Sequence, residues 1–311
     1  MDSNPILTVT LNPAIDKSTS TACIKPESKQ RCAELINEPG GGGINVSKAL
    51  KRLNVASVAM FPAGGHNGEM LKSLLAEEEI KFHSINSISE TRENWVVLEA
   101  DTNNQYRFTF PGRAIEEDVV RALINDIRSF SPQYVVASGS LPPGLPDYFY
   151  GLIVKTASAA GARCIIDTSG PALQALKGKG AYLIKPNIGE LCKMLNIERL
   201  EHAEVPDAAQ QAIRDGFAEL IAVSMGPDGA WMVSGEKKYF AAAPKVEKKS
   251  TVGAGDSMVA GITFMLQQQQ HLQQVINFGV ACGSAATMND GTKLFMEADA
   301  RRLYEEINQK K

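Results

Sequence analysis

Short apolar runs alternate with amphipathic segments along most of the chain. The apolar runs end at Gly, Pro, Asn or Ser, which is typical of buried strands. They predict strands over residues 6–11, 55–61, 134–137, 163–167, 182–185 and 217–224, and a hairpin over 230–233 and 237–241. The helical spacing between them predicts helices over residues 44–53, 68–79, 119–130, 147–160, 171–176, 188–195, 255–266, 272–288 and 297–308. The alternation predicts an α/β fold, a sandwich with a central, mostly parallel sheet and helices on both faces.

Two stretches in the N-terminal half do not follow this alternation. Residues 16–38 have no helical period, and residues 94–100 and 105–110 flank a turn-forming sequence, Asp-Thr-Asn-Asn. We therefore predict a small β-sheet lid, inserted over about residues 14–38 and 92–111 of a single domain. Trp95, Val97, Phe108 and Phe110 alternate in period two, so one face of the lid must be covered by the substrate site or by a second lid. A lid-to-lid homodimer is the resulting hypothesis.

The composition limits the classes of function. The 311 residues are 44% hydrophobic and 22% charged, with a formal net charge of −3. This balance excludes a disordered chain and a surface suited to general nucleic-acid binding. The five cysteines form no C-x-x-C motif, which favours reduced thiols in a cytoplasmic protein. No window approaches the roughly 20 apolar residues of a membrane span.

Candidate functional residues lie at the ends of predicted strands and at the start of one predicted helix. Ligands of open parallel sheets bind beyond the carboxyl ends of the strands, where this chain has residues 12–16, 40–45 and 185–190. A fourth segment, TVGAGD at residues 251–256, precedes an apolar helix. Its glycines let backbone amides converge on an anion at the helix N-terminus, and the Asp256 carboxylate could accept a hydroxyl proton. The alternative is that Asp256 is a helix N-cap beside a tight turn.

The glycine run at residues 40–43 differs from familiar nucleotide motifs. The chain has no G-x-x-x-x-G-K-[S/T] P-loop, and Asn45 stands where the dinucleotide fingerprint has its third glycine. A dinucleotide-dependent oxidoreductase therefore gains little support. Bare backbone at Gly41, Gly42 and Gly43, with the Asn45 amide beside it, suits close approach of a polyhydroxyl ligand.

Taken together, the motifs resemble those of a known family. GGGGIN at residues 40–45 and TVGAGDS at 251–257 look like the two signatures of the ribokinase-like (PfkB) carbohydrate kinases. KPNIGE at 185–190 and TLNPAID at 10–16 are similar to further segments of that family, and the match runs in order from residue 8 to about 292. Within the family, EPGGGGIN, SGSLPPG and GSAATMNDGT resemble the bacterial type 2 6-phosphofructokinases. The resemblance implies a ribokinase-like fold and ATP-dependent phosphorylation of the 1-hydroxyl of fructose 6-phosphate.

The resemblance also implies roles for individual residues. Asp256 would deprotonate the acceptor hydroxyl, and the amides of Gly253, Ala254 and Gly255 would form the anion hole. The residues that would hold sugar hydroxyls are Asp16, Gly41, Gly42, Gly43 and Asn45. Those that would line the ATP site are Lys185, Asn187, Ser224, Gly226, Gly229, Ser250, Val252 and Ser284. Asn187 and Glu190 would organise Mg²⁺, largely through water; the alternative is a strand-end cap and a surface acid.

Two further ligand sites follow from the same resemblance. The substrate phosphate needs cations or hydroxyls, and the candidates are Lys29, Arg31, Arg92 and Ser140. A K⁺ site is implied at Ser250, Val252, Ala286, Asn289, Gly291 and Lys293, where the plain alternative is a turn. Fructose 1-phosphate and tagatose 6-phosphate stay open as alternative substrates. The alternative of a different class is a sugar-phosphate binder without activity, which Asp256, Asn187 and Glu190 argue against.

Overall fold

The computed structural model describes residues 6–289, 291 and 293–309. The strands, in chain order, are β1 (Ile6–Val9), β2 (Ala14–Thr21), β3 (Ile36–Gly40), β4 (Ser57–Ala63), β5 (Phe82–Asn86), β6 (Arg92–Glu99), β7 (Asn104–Thr109), β8 (Tyr134–Ser138), β9 (Arg163–Asp167), β10 (Ala181–Ile184), β11 (Ala218–Ser224), β12 (Ala230–Val233) and β13 (Lys238–Ala241). The helices are α1 (Gly42–Arg52), α2 (Gly65–Glu77), α3 (Glu117–Ser129), α4 (Phe149–Ala159), α5 (Gly170–Gln174), α6 (Ile188–Leu195), α7 (Val205–Arg214), α8 (Ala254–Gln267), α9 (Leu272–Thr287) and α10 (Glu297–Gln309).

The main sheet has the strand order β13-β12-β11-β10-β9-β8-β1-β4-β5. Its strands from β11 to β5 pair in parallel, and β12 and β13 extend it antiparallel at one edge. The chain moves from β1 to β4 and β5 on one side, and then from β8 outward on the other. The order therefore reverses between β1 and β8, and the loops after these two strands diverge to leave a crevice.

Helices cover both faces of this sheet, so the predicted α/β sandwich is confirmed. Ile6, Leu7 and Val9 in β1 are fully buried, as expected for a strand with helices on both sides. One apolar layer includes residues of α3, α4 and α7, and the other includes residues of α1, α8, α9 and α10. None of the helices in the described part of the chain is both long and apolar enough to cross a bilayer.

A second sheet, which we call the small sheet, has the order β3-β2-β6-β7. β2 pairs antiparallel with β3 and parallel with β6, which places Asp16 between Glu38 and Asn94. β2 begins at Ala14, only a short loop after β1 ends at Val9. This short connection ties the small sheet to the crevice.

The sequence pattern did not predict β5 or α7. β5 is an edge strand whose residues Phe82, His83 and Ser84 are half-buried, so it lacks the continuous apolar run of its neighbours. α7 begins with Val205-Pro206, and alanines make up much of its buried face; the helix has a clear apolar face that the sequence analysis overlooked. All the helices and strands that the sequence pattern predicts are present, with ends displaced by a few residues.

Candidate active site

The glycine run packs directly on the strand ends at the crevice. A Cβ atom at position 42 would lie 2.2 Å from Ser138 Oγ, and one at position 43 would lie 2.6 Å from the Val9 carbonyl oxygen. Gly41 has φ of 120°, a conformation that L side chains rarely adopt. The sequence therefore needs glycine here to bring α1, and with it Asn45, against the ends of β1 and β8.

The carboxylate of Asp256 lies in the first turn of α8, opposite this glycine run. Its Oδ2 accepts a hydrogen bond from Asn45 Nδ2 at 2.9 Å, and its Oδ1 accepts one from Ser138 Oγ at 3.4 Å. The N-cap of α8 is Gly253, with φ of 72°, and no side chain caps the helix. The alternative in which Asp256 is the N-cap is therefore wrong, because its carboxylate is turned toward Asn45.

Burial raises the pKa of Asp256 to about 6, and the nearby carboxylate of Asp167 adds to the shift. The hydrogen bond from Asn45 and the charge of Lys185 act in the opposite direction. A carboxylate with this pKa is ionised at neutral pH but more basic than an exposed one, which suits a general base.

Lys185 follows β10 and brings a buried ammonium group to the start of α8. Its Nζ lies 3.1 Å from Asp167 Oδ1, and a Cβ atom at position 255 would lie 3.5 Å from the same nitrogen. Burial by itself would lower the pKa of Lys185, but Asp167 raises it above its ordinary value, so the group stays charged. The predicted anion hole, formed by the amides of Gly253, Ala254 and Gly255, thus combines an uncapped helix N-terminus with a neighbouring cation.

Asp16 occupies the part of the small sheet nearest the glycine run. Its Oδ1 accepts a hydrogen bond from Asn94 Nδ2 at 2.8 Å, and a Cβ atom at position 40 would lie 2.2 Å from its Oδ2. Burial raises the pKa of Asp16, whereas the Asn94 hydrogen bond and the charge of Arg92 oppose this shift. The carboxylate is fixed in orientation at the edge of the crevice.

Arg92 lies at the start of β6, where backbone oxygens hold its guanidinium group. Nε and Nη2 donate to the Asn12 carbonyl oxygen at 3.2 and 3.1 Å, and Nη1 donates to the Phe110 carbonyl oxygen at 2.7 Å. Asn12 Nδ2 also donates to Ser140 Oγ at 3.3 Å. Two predicted phosphate ligands, Arg92 and Ser140, therefore adjoin one another across Asn12.

Lys29 and Arg31 lie exposed in the loop between β2 and β3. Within the described residues, neither side chain has a hydrogen bond or an ion pair. Their role toward a phosphate stays a prediction.

Asn187 and Glu190 form a capping box at the start of α6. Asn187 Oδ1 accepts from the Glu190 amide at 2.9 Å, and Glu190 Oε2 accepts from the Asn187 amide at 2.8 Å. The predicted alternative, a cap at the strand end, is confirmed for Asn187. Glu190 Oε1 has no hydrogen bond to any described residue. This donor set fits a Mg²⁺ ion held mainly through water and phosphate oxygens, which needs few direct protein ligands.

The remaining nucleotide-site candidates lie along the ends of β10 and β11. Asn187 forms an isolated parallel bridge with Ser224, the last residue of β11. Gly226 and Gly229 follow in a turn and have φ of 58° and 112°. A Cβ atom at position 229 would lie 2.0 Å from the Ala241 carbonyl oxygen, so this loop closes tightly on β13. Ser284 lies half-buried in α9.

The segment before α8 contacts the loop after α9. Ser250 Oγ donates to the Gly291 carbonyl oxygen at 2.9 Å and accepts from the Val252 amide at 3.2 Å. Ala286 is the last buried residue of α9. The Asn289 side-chain amide donates to the carbonyl oxygens of Ala285 and Leu294. Lys293 is exposed. The oxygen-rich loops implied for K⁺ are thus adjacent, and K⁺ binding stays a prediction.

Four residues of this arrangement were missed in the sequence. Ser138 and Asp167 are the last residues of β8 and β9, so the position of the strand ends could have identified them. Asn12 lies within the strand-end segment 12–16, in which the sequence analysis predicts a role for Asp16 alone. Asn94 gave no signal, because its position beside Asp16 depends on a strand pairing between distant segments.

Comparisons with known proteins show the family and the fold of this chain. A model of the pfkB family of carbohydrate kinases matches residues 1–299. The chain is 42% identical over 301 residues to the ATP-dependent 6-phosphofructokinase isozyme 2 of Escherichia coli K12, covering 96% of this chain and 97% of that protein. It is 33% identical over 295 residues to the 1-phosphofructokinase of Bacillus subtilis 168, covering 94% and 96% of the two chains.

Solved structures of phosphofructokinase-2 from E. coli have the same fold. The complex with potassium superposes with a TM-score of 0.94 at 41% identity. The complex with fructose-6-phosphate gives 0.92 at 40% identity, and the tetrameric inhibited form gives 0.91 at 40% identity. Each comparison covers 98% of this chain and 99% of the solved one.

Proposed function

This chain belongs to the pfkB family of carbohydrate kinases, and we propose that it transfers the γ-phosphoryl group of ATP to the 1-hydroxyl of fructose 6-phosphate. The product is fructose 1,6-bisphosphate, an intermediate of glycolysis. The observation that carries the proposal is the half-buried Asp256 carboxylate, held by Asn45 at the uncapped start of α8. The 6-phosphofructokinase activity of the E. coli relative supports the choice of substrate.

Asp256 acts as the general base in this reaction. It accepts the proton of the 1-hydroxyl while that oxygen forms a bond to the γ-phosphorus and the bond from the γ-phosphorus to the β-phosphate oxygen breaks. Asn45 and Ser138 hold the carboxylate in position. ADP leaves from the opposite side of the phosphorus.

The start of α8 stabilises the negative charge of the transferred group. In this proposal the amides of Gly253, Ala254 and Gly255 form the anion hole at a helix N-terminus that no side chain caps, with the Lys185 ammonium beside it. The Ala254 amide has a long hydrogen bond to the Thr251 carbonyl oxygen, at 3.4 Å, which it would exchange for the phosphoryl group. Fixed donors of this kind stabilise a transition state without reorganisation during the step. Mg²⁺ bound near Asn187 and Glu190 would neutralise charge on the nucleotide phosphates.

The sugar is oriented from the opposite wall of the crevice. Asp16, fixed by Asn94, accepts hydroxyl hydrogen bonds in this proposal. Gly41, Gly42 and Gly43 let the start of α1 pack against Thr10, Ser138 and Val9, and their backbone lines the sugar site of this proposal. Ser140, Arg92, Lys29 and Arg31 are the phosphate ligands of this proposal. Ser224, Gly226, Gly229 and Ser284 belong to its ATP site, and the loops around Ser250 and Gly291 to a K⁺ site.

Fructose 1-phosphate is the main alternative substrate, because a B. subtilis 1-phosphofructokinase is also similar to this chain. A coupled assay of ADP release with fructose 6-phosphate, fructose 1-phosphate and tagatose 6-phosphate tests the proposal. We expect the highest kcat/KM with fructose 6-phosphate. A higher kcat/KM with fructose 1-phosphate or tagatose 6-phosphate would identify that sugar phosphate as the substrate instead. Binding of a sugar phosphate without ADP release would identify the protein as a non-catalytic sugar-phosphate binder.

The homodimer is a further part of the proposal, together with a single domain and a cytoplasmic location. Asp16 and Asn94 face the crevice, so the alternating residues Trp95 and Phe108, which pair directly, face away from it. Phe108 is 51% exposed and Phe110 46% exposed. Such an apolar face suits a second copy of the same sheet.

Light scattering at micromolar protein tests this assembly. We expect a dimer for the wild-type chain and a monomer for Phe108→Asp, because a buried, unpaired carboxylate would destabilise the interface. Ile88→Asp is the matched control, since Ile88 is 91% exposed and lies outside the small sheet. Wild-type protein that is only monomeric would rule out the assembly.

A further inference from the structure

A pocket at the base of the small sheet contains a cation that the proposed mechanism does not use. The pocket opens beyond the ends of β1 and β4, and Asn12, Ser89, Arg92 and Arg113 contribute to its wall. Asn12 is also the residue whose amide reaches Ser140. The pocket therefore adjoins the group of residues proposed to bind the substrate phosphate.

Most donors of Arg92 are already engaged. Four of its five N–H groups donate to the carbonyl oxygens of Asn12 and Phe110 and to Asn94 Oδ1. One N–H group is left for a ligand. Arg92 thus supplies positive charge at a fixed place, but it cannot present the two parallel donors with which arginine grips a phosphate.

Arg113, unlike Arg92, has no guanidinium donor engaged by another described residue. Its side chain is exposed and has no hydrogen bond or ion pair to any described residue. The backbone that carries it is nevertheless fixed: Asn12 Nδ2 donates to the Pro111 carbonyl oxygen at 3.0 Å, and Gly112 has φ of 84°. A Cβ atom at position 112 would lie 2.6 Å from Asn12 Oδ1. The backbone next to Arg113 is therefore anchored on Asn12, and its guanidinium group has no partner among the described residues.

The acids near this pocket have other partners. Glu90 Oε1 accepts from the Asn67 amide at 2.7 Å at the start of α2. Glu116 accepts from Ser87 Oγ at 2.8 Å and from the Ser89 amide at 3.0 Å. Neither carboxylate is paired with Arg113, so the guanidinium group is available to an anion.

We propose that Arg113 binds the phosphate group of the sugar-phosphate substrate, as the bidentate partner of the fixed Arg92. This inference rests on the proposed function, since the phosphate it binds is that of the acceptor sugar. It assigns Arg113 to substrate recognition and leaves the transfer step to residues around Asp256. Loss of Arg113 should consequently weaken binding of the phosphorylated sugar and leave the chemical step unchanged.

The test compares wild type with Arg113→Ala, Arg113→Lys and the control Arg128→Ala, whose arginine is also exposed but lies on α3. For Arg113→Ala we expect the KM for fructose 6-phosphate to rise roughly 10-fold or more, with kcat and the KM for ATP unchanged. Arg113→Lys should recover part of the loss, because it keeps the charge but not the fork. A KM unchanged from that of Arg128→Ala would overturn the proposal.

A binding measurement separates this proposal from the proposed function. Inorganic phosphate is titrated into each protein by calorimetry, and we expect affinity to fall in Arg113→Ala by a factor similar to the rise in KM. If wild type phosphorylates no sugar phosphate, the proposed function fails, and the titration still decides the role of Arg113. Equal phosphate affinity in wild type and Arg113→Ala, or no phosphate binding by wild type, would contradict the proposed role of Arg113.

Discussion

The main sheet and the small sheet hold their functional side chains in different ways. Lys185 and Ser138 are buried and Asp256 half-buried at the crevice of the main sheet. They are bound to one another or to Asp167 and Asn45. Asp16, Asn94 and Arg92 lie in the thin small sheet, which has one face toward the crevice and one exposed. The difference suggests a division of work: the main sheet performs phosphoryl transfer, and the small sheet selects the sugar.

Replacing Asp256 should give the largest effect. Asp256→Asn removes the proton acceptor but keeps an oxygen that can accept the Asn45 hydrogen bond. We expect kcat to fall by roughly 10²–10⁴-fold, with ATP affinity nearly unchanged in a fluorescence titration. Wild-type turnover in this variant would show that the main sheet does not supply the base.

Replacing Lys185 should be the next largest effect. Lys185→Met removes a buried charge near the anion hole, and we expect kcat/KM for ATP to fall roughly 100-fold. Because Lys185 lowers the pKa of Asp256, the acidic limb of the rate profile should move to higher pH. Lys185→Arg keeps the charge and serves as the control, and thermal melts check that both variants are folded. An unmoved acidic limb would contradict the coupling of the two groups.

Substitutions in the small sheet should change KM instead of kcat. Asn94→Ala removes the donor that orients Asp16, and we expect the KM for the sugar phosphate to rise roughly 5- to 50-fold. Steady-state kinetics against both substrates measure this, with Asn125→Ala on the exposed side of α3 as the control. A fall in kcat with constant KM would remove the proposed division between the sheets.

The last prediction concerns stability, where no effect on turnover is measured. The folded-state pKa of Asp256, about 6, lies above its unfolded value of 3.8. The native state is therefore destabilised progressively as the pH rises from about 4 to 6, and the full cost is present above pH 6. This cost disappears below about pH 4, where both states are protonated. Asp256→Asn should therefore raise the free energy of unfolding by roughly 1–3 kcal/mol at pH 8 and by little at pH 4. Urea unfolding at both pH values provides the test, and a loss of stability at pH 8 would contradict the burial of the charge.

The sequence predicted the main sheet and its site better than the small sheet. Gly253, Asp256 and Lys185 could be found because strand ends, glycine runs and helix starts are local patterns that converge at one edge of a parallel sheet. Asn94 could not be found, because it meets Asp16 only through the parallel pairing of β2 with β6. The hydrogen bonds from Arg92 to two backbone carbonyl groups could not be predicted either, because they depend on where the loops carrying Asn12 and Phe110 fold.

The central claim, transfer of phosphate to the 1-hydroxyl of fructose 6-phosphate, is tested most directly by identifying the products of a single turnover. Excess wild-type enzyme is mixed with ATP, Mg²⁺ and fructose 6-phosphate, and the quenched mixture is analysed by phosphorus NMR. The account predicts equal amounts of ADP and fructose 1,6-bisphosphate, and no ADP when the sugar phosphate is left out. ADP formed with inorganic phosphate, or a product phosphorylated at another hydroxyl, would contradict it.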